Sequence, residues 1–417
     1  MNDRAVLFAG PACSGHRQRI LAMVASHSRR QIEAVCRRYV EQQAALGISL
    51  GEAETLLRFA FLLSPMEDSA TLRAFLMHPT TQYWLSAMRR ASGEADRKYR
   101  GPFARNAGNL GLQLALATGD ESSWPVELDG EGGMRLPILG RHVEFGRERA
   151  SARTEADIVA GGARFRFDDG MTVEIPLGDL VAETVDPEPS LERDGFCLTL
   201  YERLMDGAVQ LQRRDEWLRP HWTGTNERSN GTVYFGASPD QYPARFPVDP
   251  FARAAHHIAV ASPELAVDVA SFTPVFVPRS TGPERRIGFT VSSRQGAMFL
   301  DPDEPQLMAE NIVHENAHVK LRYMQLVDPI LEDFYDADCE RFQVPWRPDP
   351  RPLPGILKGA YVFSNVLDHR RSSGVDATAN DLAEDIAGAL TILRGHGRFT
   401  VAGERFFSEL EAWNAAA

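Results

Sequence analysis

Residues 303–322, DEPQLMAENIVHENAHVKLR, decide how the second half of this chain is read. Asp303 or Glu304 suits a helix N-cap, and Pro305 suits the first turn, where a missing N–H costs nothing. Glu304 and Glu310 come early and Lys320 and Arg322 late, in the sense the helix macrodipole favours. Leu307, Met308, Ile312, Val313 and Ala317 make a broad apolar face, and no glycine interrupts the run. Within it stands His314-Glu315-Asn316-Ala317-His318, an H-E-x-x-H pattern. Residues four apart on a helix lie roughly 40° apart around its axis, so the two imidazoles can close on one metal ion. Glu315 then lies where it can act on a metal-bound water. A chance match on a surface helix is the plain alternative. Both histidines fall in a mainly apolar helix, however, where imidazoles need partners, and a metal supplies them.

Outward from that helix, composition bounds the answer. The 417 residues suffice for a large core with two or more subdomains, and 43% hydrophobic with 24% charged is the balance of a folded globular protein. A net charge of −12 argues against a nucleic-acid partner held on a broad basic surface. Cys13, Cys36, Cys197 and Cys339 are dispersed without a C-x-x-C, as expected of reduced thiols in a cytoplasmic protein. No apolar run approaches the roughly 20 residues needed to span a bilayer, so no membrane partner is expected.

In chain order, residues 1–15 read as a flexible or strand-like lead. Residues 10–17 suggest a phosphate-binding loop but carry His16 where the lysine belongs, and are rejected as one. Helical patterns occupy 16–47, 50–63, 70–91 (broken at Pro79) and 106–117, with His27 and His78 as ordinary helix or helix-end residues. Glycines then punctuate short stretches, and 136–145, 163–167 and 171–176 read as strands, the last two joined by Asp168-Asp169-Gly170, a hairpin turn. Helix is expected over 199–217 and around 251–260, where His256 and His257 point about 100° apart and so do not share one metal. Strands are expected at 232–236, 272–278, 287–292 and 297–300. Helix continues past Pro329 towards 335, and further helices cover 355–371, 380–393 and 403–413. The expected class is α+β: an N-terminal helical region (1–118), a β-rich region (119–198) and a mainly helical metal-binding region (199–417), or one continuous domain.

Between the metal helix and the helix at 355–371 lies Val344-Pro-Trp-Arg-Pro-Asp-Pro-Arg-Pro-Leu-Pro354. Its five prolines force an extended path. A stiff strand of this kind can hold Arg347 or Arg351 ready for a carboxylate, such as that of a small dicarboxylic cosubstrate. The alternative is a connector whose arginines pair with Asp349 or nearby acids.

Taken together, Gly296-Ala-Met-Phe-Leu-Asp301, Ile312-Val-His-Glu-Asn-Ala-His-Val-Lys-Leu321, Pro345-Trp-Arg-Pro-Asp-Pro-Arg-Pro-Leu353 and Tyr361-Val-Phe363 resemble the HExxH-motif peptide-modification proteins of ribosomal peptide biosynthesis. The resemblance covers about residues 285–370. It implies an Fe(II)/2-oxoglutarate-dependent dioxygenase that hydroxylates a β-carbon in a precursor peptide, working beside other peptide-modifying enzymes. His314 and His318 would be the iron ligands and Glu315 the motif acid, with Arg351 and Arg347 as candidates for the 2-oxoglutarate carboxylate. Members often carry a histidine early in the following helix, whereas this chain has Lys358 there, normally protonated and a poor ligand. The third ligand therefore stays open among His369, Asp368, Asp336 and Glu340.

Two other readings stand beside this one. In a zinc metallopeptidase, Glu315 is the general base for a Zn-bound water. Against it, the extended H-E-x-x-H-x-x-G-x-x-H is absent, position 321 being Leu and 324 Met. In a non-catalytic peptide-binding module, the metal is structural. The metal itself is expected between the 303–325 and 355–371 helices, with the proline-rich strand close by.

Overall fold

The structure is a computed structural model that describes residues 14–416 apart from 94–99, 150–153, 182–189, 213–214, 219–246, 281–287, 333–339 and 375–378. The expected strand at 232–236, residues 1–13 of the expected lead at 1–15, Cys13, Cys339 and Asp336 lie outside the described residues, and the last two residues of that lead already belong to the first helix. The protein is α+β. Helices α1 (Ser14–Glu41), α2 (Gln43–Leu46), α3 (Leu50–Leu63), α4 (Ala70–Met77), α5 (Pro79–Ala91) and α6 (Arg100–Thr118) come first. His78 ends α4 and caps α5, accepting a hydrogen bond from Thr80 N–H.

Strands begin where glycines and prolines break the helical period. One antiparallel sheet runs in the order β1 (Ser123–Val126), β4 (Thr154–Val159), β5 (Gly162–Phe167), β6 (Thr172–Pro176). A second is ordered β2 (Gly133–Leu136), β3 (Arg141–Glu144), β8 (Phe196–Leu200), β7 (Ser190–Arg193). The expected hairpin at 168–170 is present, with Gly170 at φ 85°, a conformation that favours glycine. Residues 136–145 are two strands rather than one, because the chain turns at Gly140 (φ 70°). The first sheet docks on α6 where that helix lacks side chains: a Cβ on Gly111 would fall 2.3 Å from the Trp124 ring. One apolar core joins these sheets to the helical layer.

The expected helix at 199–217 is corrected. After a short α7 (Leu177–Val181), the chain forms β8, β9 (Glu202–Leu204) and β10 (Val209–Leu211), with a 3-10 turn at Glu216–Leu218. Met205, Asp206 and Gly207 all take positive φ, which closes a hairpin and forbids a helix. Helices α8 (Asp249–Ala261) and α9 (Pro263–Phe272) follow; α9 starts at Ser262, whose side chain accepts from Leu265 N–H. Next come β11 (Val275–Pro278), β12 (Phe289–Thr290) and β13 (Ala297–Leu300), giving a five-stranded sheet ordered β12-β13-β11-β10-β9.

Its middle strands β10, β11 and β13 are parallel and buried on both faces. Alternation sends Phe276, Met298 and Leu300 to one side and Val275, Val277, Ala297 and Phe299 to the other. The first set packs under α8, α9 and α10 (Pro305–Val327). Helix α10 stops at Val327 instead of running on: Leu331 bridges to Phe399, and Thr400 N–H bonds the Ile330 carbonyl. A two-stranded hairpin, β14 (Arg341–Val344) and β15 (Arg347–Pro352), leads into α11 (Leu353–Ser372), α12 (Ala379–His396) and α13 (Val401–Ala416). No helix among the described residues is long and apolar enough to cross a membrane.

Candidate metal centre

Helix α10 begins as read, with Glu304 at the N-cap and Pro305 next, although Leu307 is exposed rather than part of the buried face. Its far side is pinned by polar contacts from within the motif itself. Thr273 Oγ1 donates to Asn316 Oδ1 at 2.6 Å, and Gln295 Nε2 donates to the Val319 carbonyl at 3.1 Å. Lys320, 0% exposed, donates to Asp268 Oδ2 at 2.5 Å. These bonds fix the rotation of the helix and so aim His314 and His318 away from the core.

On that outward side His314 Nε2 and His318 Nε2 are 3.2 Å apart, with the ring planes at 86°. Nitrogens at that spacing close on one ion at an angle of roughly 100° when each bond is about 2.1 Å. Glu315 Oε1 is 4.0 Å from His314 Nε2, and the ligand atoms of the three residues all lie within 4.8 Å of one another. Two ligands of one ion lie at most about 4.2 Å apart. As placed, the imidazoles could therefore chelate one ion, and Glu315 could reach it through a water or after a change of rotamer. The residues thus fit a divalent ion.

Electrostatics agree. Burial lowers His314 to about 4 and His318 well below the ordinary histidine range, with the Lys358 charge adding to both, so both rings are neutral ligands near pH 7. Burial pushes Glu315 up to about 7, against the pull of Lys358 and a hydrogen bond from Thr290. Thr290 belongs to the edge strand β12. Gly288 just before it lets that strand close in, since a Cβ there would sit 3.0 Å from Glu315 Cγ. The buried His318 Nδ1 has no hydrogen-bond partner among the described residues.

The opposite wall is α11. Glu310 is forked by Arg370 at 2.8 and 3.1 Å, His314 meets the Phe363 ring at 5.5 Å, and the Lys358 charge acts on His318. As α10 advances, its partners on α11 recede, so the two helices are antiparallel. The hairpin tip completes the wall: Trp346 packs at a tilt against Phe363, ring centroids 5.0 Å apart, and lies over Gly359, where a Cβ would come within 2.7 Å of its ring.

This arrangement settles where the third-ligand candidates stand. His369, three turns beyond Lys358, lies by the Glu310 end of α10 and faces His257 at 6.1 Å. Asp368 is its neighbour, raised by burial against the pull of Arg371. Glu340 pairs with His396 at 3.6 Å. Among the described residues, the groups brought together are His314, Glu315 and His318. Arg347 and Arg351 fork one carboxylate, Asp349, with Nε–O distances of 3.2 and 3.1 Å. Sequence reasoning missed Thr290, Gly288 and the reach of Lys358 into the site. A two-residue edge strand and a lone lysine carry no local signal.

The fold and site together define an α+β protein with a candidate mononuclear metal centre on one helix. Compared with known protein families and with characterised proteins, the chain matches no family model and no characterised sequence.

Proposed function

We propose that this protein is a metal-dependent peptide-modifying enzyme, a non-haem Fe(II)/2-oxoglutarate dioxygenase that hydroxylates a side chain of a ribosomally made precursor peptide. The observation that carries the metal reading is the pair of Nε2 atoms 3.2 Å apart, on neutral rings facing α11. Two imidazoles with a carboxylate beside them are the donor set of non-haem iron oxygenases. The choice of hydroxylation rests on the sequence resemblance over 285–370. Bound iron, O₂ and 2-oxoglutarate together supply the oxidising power: one oxygen atom enters the C–H bond, and the other enters succinate as CO₂ leaves. His314 and His318 hold the ion. Thr290 orients the Glu315 carboxyl, and Trp346 with Phe363 forms a dry wall beside His314. That wall suits the desolvated approach such chemistry requires.

A specific feature favours a second reading, zinc-dependent peptide hydrolysis: a carboxyl raised to about 7 beside the metal seat is tuned as a general base. Protein loaded anaerobically with Fe(II), then given O₂, 2-oxoglutarate and the precursor peptide, distinguishes the two. Succinate formed in step with a 16-dalton gain on the peptide supports hydroxylation. Cleaved peptide with Zn(II) and no succinate with Fe(II) replaces it with hydrolysis.

A further inference from the structure

We propose that the cavity between α6 and the β1–β2 connection is a seat for a guanidinium group, with Asp215 as its counter-ion. The group comes from an arginine side chain of a peptide or from a small guanidine compound. The inference is independent of the metal reading. The cavity has a volume of about 200 Å³, and its walls include Asn106, Leu110, Leu128, Arg135, Asp215 and Trp217. Pockets for drug-sized ligands start at roughly 300 Å³, so this space suits a single side chain or a fragment of that size. Asp215 is 4% exposed, and its carboxylate is fixed from two sides. Thr80 Oγ1 donates to Oδ2 at 2.7 Å, and the Trp217 N–H donates to Oδ1 at 2.9 Å. Both donors are neutral, and among the described residues no cation forms an ion pair with this carboxylate.

The other charges around the cavity are already matched. Arg135 pairs with Asp129 at 3.2 Å and Glu127 with Arg105, while Arg294 donates to the Trp217 carbonyl. Arg135 and Arg294 therefore act on Asp215 only across space. Asp268 gives the contrast: 1% exposed, it takes both Lys320 and Arg17. A carboxylate withdrawn from water is costly until a cation joins it, and burial accordingly pushes Asp215 above the usual carboxylate range. The walls select the kind of cation. Trp217 is held by Tyr83 and Phe103, with ring centroids 5.8 and 5.6 Å away, so its indole is a rigid flat surface. Asn106 uses Nδ2 on the Pro102 carbonyl at 2.9 Å, which leaves Oδ1 to accept. A guanidinium is planar and carries several N–H donors, so it can lie on an indole while donating to a carboxylate and an amide oxygen. An ammonium has donors but no plane.

The test titrates the full chain calorimetrically, without added metal, with a blocked Ala-Arg-Ala peptide and, separately, with methylguanidine. Each probe is set against its neutral isostere, citrulline in the peptide and methylurea for methylguanidine. Wild-type protein should prefer the charged member of a pair by about tenfold to a hundredfold, the range for a hydrogen bond to a charged group. Asp215→Asn keeps an oxygen for the Trp217 N–H and an amide for Thr80, so it should fold, and it should abolish the preference. A preference shown by the peptide and absent with methylguanidine assigns the seat to an arginine side chain. A preference at least as strong with methylguanidine assigns it to a small guanidine compound. Wild-type protein that binds neither charged probe, or that binds charged and neutral members equally, overturns the inference. So does Asp215→Asn with the preference intact. Should that variant fail to fold, the wild-type ratio of charged to neutral probe decides alone.

Discussion

The two sides of α10 use the same residue types to opposite ends. On the inner side Lys320 and Asp268 are 0% and 1% exposed, and Arg17 of α1 adds a second bond to Asp268 at 3.1 Å. Every charge there has a partner, and the cluster ties α1, α9 and α10 together. On the outer side, within two turns along the helix, two imidazole Nε2 atoms face each other at 3.2 Å. Glu315 beside them is buried and desolvated. Buried ionic groups are tolerated where they are paired. The outer side instead gathers its titratable groups within 4.8 Å of one another, the arrangement of a candidate metal seat.

Breaking the inner side should have the largest effect. Asp268→Ala removes the buried carboxylate that Lys320 and Arg17 share, leaving Arg17 only its bond to the exposed Glu264, and should cost about 3–5 kcal/mol in urea unfolding. A cost no larger than that of an exposed pair such as Arg166–Glu155 would erase the contrast. The outer side should respond in binding rather than stability. His318→Ala should lower divalent-metal affinity by more than the tenfold to roughly hundredfold loss typical of outer-shell partners. Competition titration with a chromogenic chelator reads this, and retention of tight binding would show that the imidazole pair is not the chelate.

A third measurement extends the contrast to the helical layer. His78 is buried, and burial with the nearby Arg203 charge lowers its pKa to about 3, against a hydrogen bond with Gln210. The unfolded chain takes up a proton near pH 6.5 that the folded chain refuses. Stability is therefore full above 6.5 and falls as pH drops from there towards 3, by up to about 1.4 kcal/mol per pH unit. His78→Asn keeps a capping acceptor and should flatten that slope; an unchanged difference between wild type and variant across pH 6.5 to 4.5 contradicts it. The smallest effect is expected at Gly359→Ala. Alanine gains about 1 kcal/mol of helix propensity but drives a methyl into the Trp346 ring, an overpacking cost of about 1–3 kcal/mol. The balance should be slightly destabilising, with a shift in Trp346 fluorescence. A stabilised variant with unshifted emission would mean that the hairpin tip is not clamped.

Local signals were readable before any tertiary information. Pro305 and the acidic start placed α10, the i, i+4 spacing paired His314 with His318, and Asp168-Asp169-Gly170 placed a hairpin. The same local reasoning failed over 199–217. What decided that stretch was the turn at 205–207 and the chance for β10 to pair with β11, a partner distant in sequence. Arg351 and Arg347 illustrate a related blind spot. Their place on a stiff strand was legible, but the fork around Asp349 depends on how the hairpin folds back.

The sequence alone determined the imidazole pair, because four residues of helix put both rings on one face whatever surrounds them. Only the tertiary structure decided what stands opposite. The antiparallel packing of α11 carried His369 to the wrong end of α10 and brought Lys358, Phe363 and Trp346 to the right one, and the edge strand β12 delivered Thr290 to Glu315. Helical periodicity is fixed by bonded geometry within a few residues, whereas the facing wall follows from which buried surfaces close against each other across the whole chain.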